Sequence, residues 1–376
     1  MKPSIRFATS TNNVTSRSVL TARLDRLERA VERIPAYLWF VIALVLLVVK
    51  SGLYFGHNFP SAALSDGSRR PDGWSILLDP SLAVAVGLRI TTRPLYEVFA
   101  LALSIAVLAL IAYLVYQAVP GINGRLVFLV IAVGPIGALL FRHFGRYDTY
   151  LVLGAVIVAL AYRSRWWVIG SGAVIMAVGN AGQALATSIA LAALTMVPDF
   201  RAWRKSAAIA LSVSLVWFGI ATAIADAYSV PSQLDWLPLL AGESVGYFFS
   251  TLPLLAYSAL GFTWLLAAAA LMMLERRWWP WLIISMVVIP MVFMAITVDG
   301  TRVGVGVSLL PVFAVMLVVL PRLLSYVRGL GFPGPVTVIA IVAFVMPNPW
   351  IGYGELRPAW EWAIHEVHFW WLVFTR

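Results

Sequence analysis

From residue 36 onward the chain alternates long apolar runs with short polar or Pro/Gly breaks. A helix needs roughly 20 apolar residues to cross a hydrocarbon core. Runs of that order recur at 36–55, 96–118, 125–141, 148–162, 166–179, 182–198, 206–228, 247–274, 279–298, 304–323 and 334–348. The pattern predicts an all-α fold: a polytopic integral membrane helical bundle of about 11 transmembrane helices. The pair 166–179 and 182–198 is short and joined through "NAGQ", so it reads equally as two spans or as a hairpin that enters and returns.

Upstream, residues 1–18 are rich in Ser, Thr and Asn and predict a disordered cytoplasmic tail. Residues 19–34, "VLTARLDRLERAVERI", repeat Leu, Val and Ile at helical spacing with Arg and Glu between them, which predicts an amphipathic juxtamembrane helix lying on the inner surface. The transmembrane domain then covers 35–348 with a long first external loop at 56–95, and 349–376 forms an extracytoplasmic interfacial segment.

Composition sharpens this picture. Of 376 residues, 61% are hydrophobic and 12% charged, which excludes a soluble globular chain. With the N-terminus cytoplasmic, the inner segments hold 17 basic residues against five acids and the outer ones ten against twelve. That asymmetry follows the positive-inside rule. The net charge of +10 is thereby assigned to insertion and to anionic lipid, and no nucleic-acid partner is expected. Cysteine is absent, which removes disulfides, thiolate nucleophiles and Cys metal ligands. Arg outnumbers Lys, a hint of a GC-rich bacterial genome and hence of a multi-pass protein of the bacterial inner membrane.

The same orientation puts all four histidines (His57, His143, His365, His368) and most acids outside. Ionisable groups near an apolar core mark a protein-lined site. Four outer segments carry them. The first loop has His57, Asp66, Asp72 and several arginines; "FRHFGRYDTY" at 141–150 has Arg142, His143, Arg146 and Asp148; "VDGTR" has Asp299 and Arg302; the C-terminal tail has Glu361, His365 and His368. Guanidinium groups hold phosphates bidentately, so Arg142, Arg146 and Arg302 are candidate phosphate ligands. Asp66 and Asp148 are candidate general bases. The competing reading is internal pairing, Asp148 with Arg142 or Arg146 and Asp299 with Arg302, which locks the turns. His57, His143, Asn180, Gln183 and Asp299 are candidate substrate contacts, with helix capping the alternative for the two amides. Lys50 reads as a snorkelling residue. "GVGVS" at 304–308 reads as helix packing. Trp350 and its C-terminal neighbours, and Trp166, Trp167, Trp278 and Trp279, read as interfacial belts.

The layout of spans one to four, with the longest loop first and acidic, and a further acid at Asp148 between spans three and four, resembles the GT-C class of membrane glycosyltransferases. The resemblance implies a polyprenyl-phosphate-linked sugar as donor and a glycan or lipid acceptor. It makes Asp66 or Asp72 the first-loop base and Asp148 the acid that supports donor phosphate or a divalent cation. No paired Asp-x-Asp or Glu-x-Asp occurs in either loop. The chain is also similar to Wzy-type polysaccharide polymerases and ligases, which are metal-independent and surround a lipid diphosphate with external arginines. A transporter or flippase of a lipid-linked or anionic solute is the reading from another class, carried by the short pair around "GNAGQ".

Overall fold

The computed structural model describes residues 14–53, 80–90, 92–142, 144–229, 233–261, 263–297, 299–348, 350–352 and 355–356. His57, Asp66, Asp72, His143, His365 and His368 lie outside them, as do most of the first loop and the C-terminal tail.

The described chain is helical apart from a two-residue antiparallel pairing of Ile351–Gly352 with Glu355–Leu356. In order, the helices are α1 (Val14–Arg33), α2 (Ala36–Ser51), α3 (Pro80–Gly87), α4 (Arg93–Ala118), α5 (Gly121–Val133), α6 (Pro135–Arg142), α7 (Asp148–Leu160), α8 (Trp166–Gly179), α9 (Ala181–Leu194), α10 (Arg204–Ala227), α11 (Gln233–Leu260) and α12 (Thr263–Met273). After them, α13 (Trp279–Ile283) passes through a π-helical turn at Ile284–Val288 into α14 (Ile289–Ala295), and α15 (Gly300–Gly329) and α16 (Pro335–Val345) follow.

The apolar helices make this a membrane-embedded bundle; among the described residues, length and composition support four spans, or up to seven if each bent pair of helices is one span, and give no support to eleven. The four are Pro94–Ala118, Pro198–Ala227, Arg276–Ala295 and Gly300–Gly329. The apolar helices α7, α8, α9 and α16 have 13, 14, 14 and 11 residues. At 1.5 Å per residue they reach only about 16–21 Å, short of a hydrocarbon core of about 30 Å.

Proline and glycine account for the breaks. The run 125–141 bends by 49° between α5 and α6, where Pro135 offers no N–H and Gly134 ends the first segment. The run 247–274 breaks at Gly261, whose φ of 52° suits glycine and where a Cβ would meet the Pro135 ring at 2.8 Å. The π turn at Ile284–Val288 precedes Pro290, whose ring would clash in a regular helix.

The bundle has two distinct ends. At the basic end, Arg328 reaches Glu28 and Glu32 of α1 at 3.0 and 3.1 Å. Arg125 donates to the Glu32 and Ile34 carbonyls, Arg322 pairs with Asp199, and the Lys205 ammonium donates to the Ser164 carbonyl. Helix α1 is bent 105° from α2, so it lies across this end. Trp166 and Trp167 are exposed here, and the Trp279 indole donates to the Leu271 carbonyl as α12 finishes.

At the far end Lys50 does not snorkel. Its ammonium donates to the carbonyls of Val133 and Ala343, at 3.2 and 2.5 Å, because the break after Val133 and the end of α16 leave those acceptors open. Asn348 donates to the same Val133 carbonyl and to Ser51 Oγ, and the Tyr257 hydroxyl donates to the Pro347 carbonyl.

Between the ends, α15 is the central column, with 83% of its apolar window buried. Helices α8 and α9 form an antiparallel pair, since the start of α8 and the residues following α9 both meet the basic end, where Trp203 donates to the Ala159 carbonyl and stacks on Tyr162 at 4.2 Å. Glycine allows α7 to press on α8: a Cβ at Gly154 would stand 2.3 Å from the Met176 nitrogen and 2.5 Å from the Gly172 oxygen.

Backbone against backbone leaves no room to yield. Gly154→Ala is therefore expected to destabilise the protein by about 1–3 kcal/mol, measured as a lower Tm in detergent. Gly170→Ala, where a Cβ meets nothing within 4 Å, is expected to leave Tm unchanged.

Candidate functional site

Three helix starts converge near the far end. Helix α7 begins at Asp148, α15 at Gly300, and the α8–α9 tip turns at Asn180. Gly179 makes the convergence possible, since a Cβ there would lie 2.5 Å from the Leu151 nitrogen. Asn180 caps α9, its side-chain oxygen accepting the Gln183 N–H at 3.0 Å. The capping alternative is thus what the geometry shows for Asn180.

On this platform sits a four-charge cluster. Arg302 donates from Nε to Asp148 Oδ2 at 2.8 Å, and both residues are buried, 7% and 0% exposed. Asp299 Oδ2 lies 3.5 Å from Arg302 Nη1 and 3.8 Å from Arg146 Nη1. Tyr147 lays its ring 4.7 Å from the Arg302 guanidinium carbon. Asp148 is therefore paired across the bundle with Arg302 rather than within its own turn, while the expected Asp299–Arg302 contact is present. Two guanidiniums and two carboxylates cancel, so Arg302 offers little net field to a phosphate. Arg146, about a third exposed, is the cluster's outward cation.

Arg142 ends α6, is 2% exposed and lies under the Trp350 ring at 5.6 Å. Trp350 is itself 2% exposed. It is a lid over an arginine and not a member of a headgroup belt, because the contacts of Asn348 and Pro347 bring the chain back over the bundle.

Gln183 is 6% exposed, and its Oε1 occupies the place where a Cβ on Gly306 would stand, 1.8 Å away. One turn deeper, Thr187 Oγ1 accepts the Leu310 N–H at 3.0 Å, next to the helix-interior Pro311. The "GVGVS" glycines thus do pack helices, and Gly306 also seats an amide.

The site brings together Arg146, Asp148, Asn180, Gln183, Asp299 and Arg302, with Arg142 at its edge. Sequence reasoning missed Tyr147, although it lies within the quoted "FRHFGRYDTY" stretch. It also missed Glu97, a fully buried acid beside Tyr96, whose hydroxyl donates to the Gly145 carbonyl. Nothing but its charge within an apolar run marked Glu97. Among the described residues no group of three or more His, Cys, Asp or Glu is placed to hold a metal ion. Comparison with protein-family models, curated proteins and solved structures finds no match to this chain.

Removing one member of a buried pair strands the other charge. Asp148→Ala or Arg302→Ala is expected to cost about 3–5 kcal/mol. Arg146→Ala, at a looser and more exposed pair, is expected to cost less than about 1 kcal/mol. Reversible unfolding in mixed micelles measures all three.

Proposed function

We propose that the protein is a glycosyltransferase of the bacterial inner membrane, moving a sugar from a polyprenyl-phosphate-linked donor to a cell-envelope glycan or lipid acceptor. The observation that supports it is the buried Asp148–Arg302 pair with Arg146 on its outer side. The positive-inside rule places the end gathered around α1 in the cytoplasm and the cluster on the extracytoplasmic side. A carboxylate held by one oxygen keeps the other for the proton of an attacking hydroxyl. Arg146, and Arg142 once uncovered, would hold the lipid phosphate and stabilise the charge that grows on it as the glycosidic bond breaks. Asp66, the first-loop acid that the GT-C resemblance makes a base, lies outside the described residues. The Wzy-type polymerase reading uses the same arginines around a lipid diphosphate.

One observation favours a transporter or flippase as the second reading: the α8–α9 pair, with arms of about 21 Å and a buried polar tip, is the kind of interrupted helix that lines translocation sites.

Farnesyl phosphate and diphosphate binding to the protein in nanodiscs separates these. Wild type is expected to bind, with Kd at least tenfold weaker in Arg146→Ala and weaker in higher salt. Loss of binding with a chelator would select the GT-C reading, and insensitivity the Wzy-type one. Absence of binding to either probe would discard the transferase and leave the transporter.

A further inference from the structure

We infer that the Arg302–Asp148 pair reads a hydroxyl group of an uncharged polyol and is not a phosphate clamp. This rests on the transferase reading for naming the polyol a sugar. The hydroxyl itself follows from the geometry.

The edge of a guanidinium that carries Nε also carries Nη2, and a carboxylate aligned with that edge accepts from both. Here only one rung forms, Nε to Oδ2 at 2.8 Å. The atoms of the second rung, Arg302 Nη2 and Asp148 Oδ1, are both buried and both without a hydrogen-bond partner. Buried polar atoms are almost always satisfied, so two orphans on one ion pair point to a ligand. Gln183 Oε1, against Gly306 one turn further along α15, is a third.

The chemistry of these three atoms selects the ligand. Nη2 only donates, Oδ1 only accepts, and both belong to the one ion pair joined through Nε and Oδ2. A hydroxyl carries one O–H and two lone pairs, so a single oxygen accepts from Nη2 and donates to Oδ1. A phosphate dianion accepts only. It would satisfy Nη2 while facing Asp148 Oδ1 and, 3.5 Å from Arg302, Asp299. With the cluster's charges balanced, no net attraction offsets the desolvation of a dianion there. Gln183 Oε1 adds an acceptor for a further O–H, which a polyol has and a simple alcohol lacks. Tyr147 covers a face of the guanidinium, and the orphaned Nη2 lies on its edge.

Water has the same donor and acceptor pattern, so the test must separate it from a polyol. Saturation-transfer NMR on the full chain in nanodiscs, with methyl β-glucoside, methyl β-galactoside and methyl phosphate as probes, does so. Arg302→Lys keeps the positive charge beside Asp148 and replaces the planar two-nitrogen edge with a single nitrogen that cannot hold the Nη2 position. We expect glycoside signal in wild type, at least a fivefold loss in Arg302→Lys, and farnesyl phosphate binding within twofold of wild type. No glycoside signal in wild type means the pair holds water only and overturns the inference. So does a glycoside signal that survives Arg302→Lys, or a loss of methyl phosphate or farnesyl phosphate signal in its place. Should Arg302→Lys fall below wild-type thermal stability, Gln183→Met removes the second acceptor without touching the pair and is expected to cut the glycoside signal at least threefold; an unchanged signal there overturns the polyol assignment. Glycoside binding without farnesyl phosphate binding refutes the transferase and keeps the polyol site, whereas the converse refutes this inference alone.

Discussion

A carboxylate and a guanidinium buried together inside an apolar bundle constrain everything packed around them. Neither Asp148 nor Arg302 is tolerable there alone, because an unpaired ion in a low-dielectric interior is costly. Each arrives on a helix start, and the starts differ in sign preference. Asp148 in the first turn of α7 is favoured by the positive end of that helix, while Arg302 at the start of α15 is opposed by its own. Asp299, three residues before Arg302 and 3.5 Å from it, offsets that second term. The pair therefore fixes the register of α15 against α7, and with it the position of Gly306 opposite Gln183.

The glycines around the pair serve that convergence. Gly154 and Gly179 let α7 and the hairpin touch through their backbones, and Gly306 makes room for an amide. Each substitutes close approach for side-chain interdigitation, which is how helices associate where lipid supplies no hydrophobic drive between them. Backbone polar groups at these contacts also find side-chain partners on the facing helix, as the Leu310 N–H does in Thr187 Oγ1. Beside the pair, such partnering stops at Nη2, Oδ1 and Oε1, the atoms to which the proposed polyol would bind.

Both ends of the bundle are held by long cationic side chains acting across elements. Arg328 and Arg125 fasten α1 over the basic end, and Lys50 closes two carbonyl ends at the far one. The far-end clasp positions Trp350 over Arg142. A cation that sequence pattern assigns to the lipid interface thus organises the approach to the site.

Much of this was legible in the chain itself. The apolar runs and their 3.6-residue logic determined an all-helical, membrane-embedded protein, because burial in lipid demands internal backbone pairing. The "FRHFGRYDTY" and "VDGTR" turns announced the site, because charge in so apolar a sequence requires a partner. What pairs with what was not legible. Asp148 had two arginines within six residues and took its hydrogen bond from one 154 positions away, and Lys50 found carbonyls rather than headgroups. The number of full-length spans also escaped the pattern, since hydropathy registers a proline- or glycine-broken run as continuous, and 13 to 14 apolar residues look alike whether they cross or turn back. Composition and period are properties of neighbours along the chain and can be read there. Pairing, depth and unsatisfied atoms depend on contacts between segments far apart in sequence, and only the packed bundle decides them.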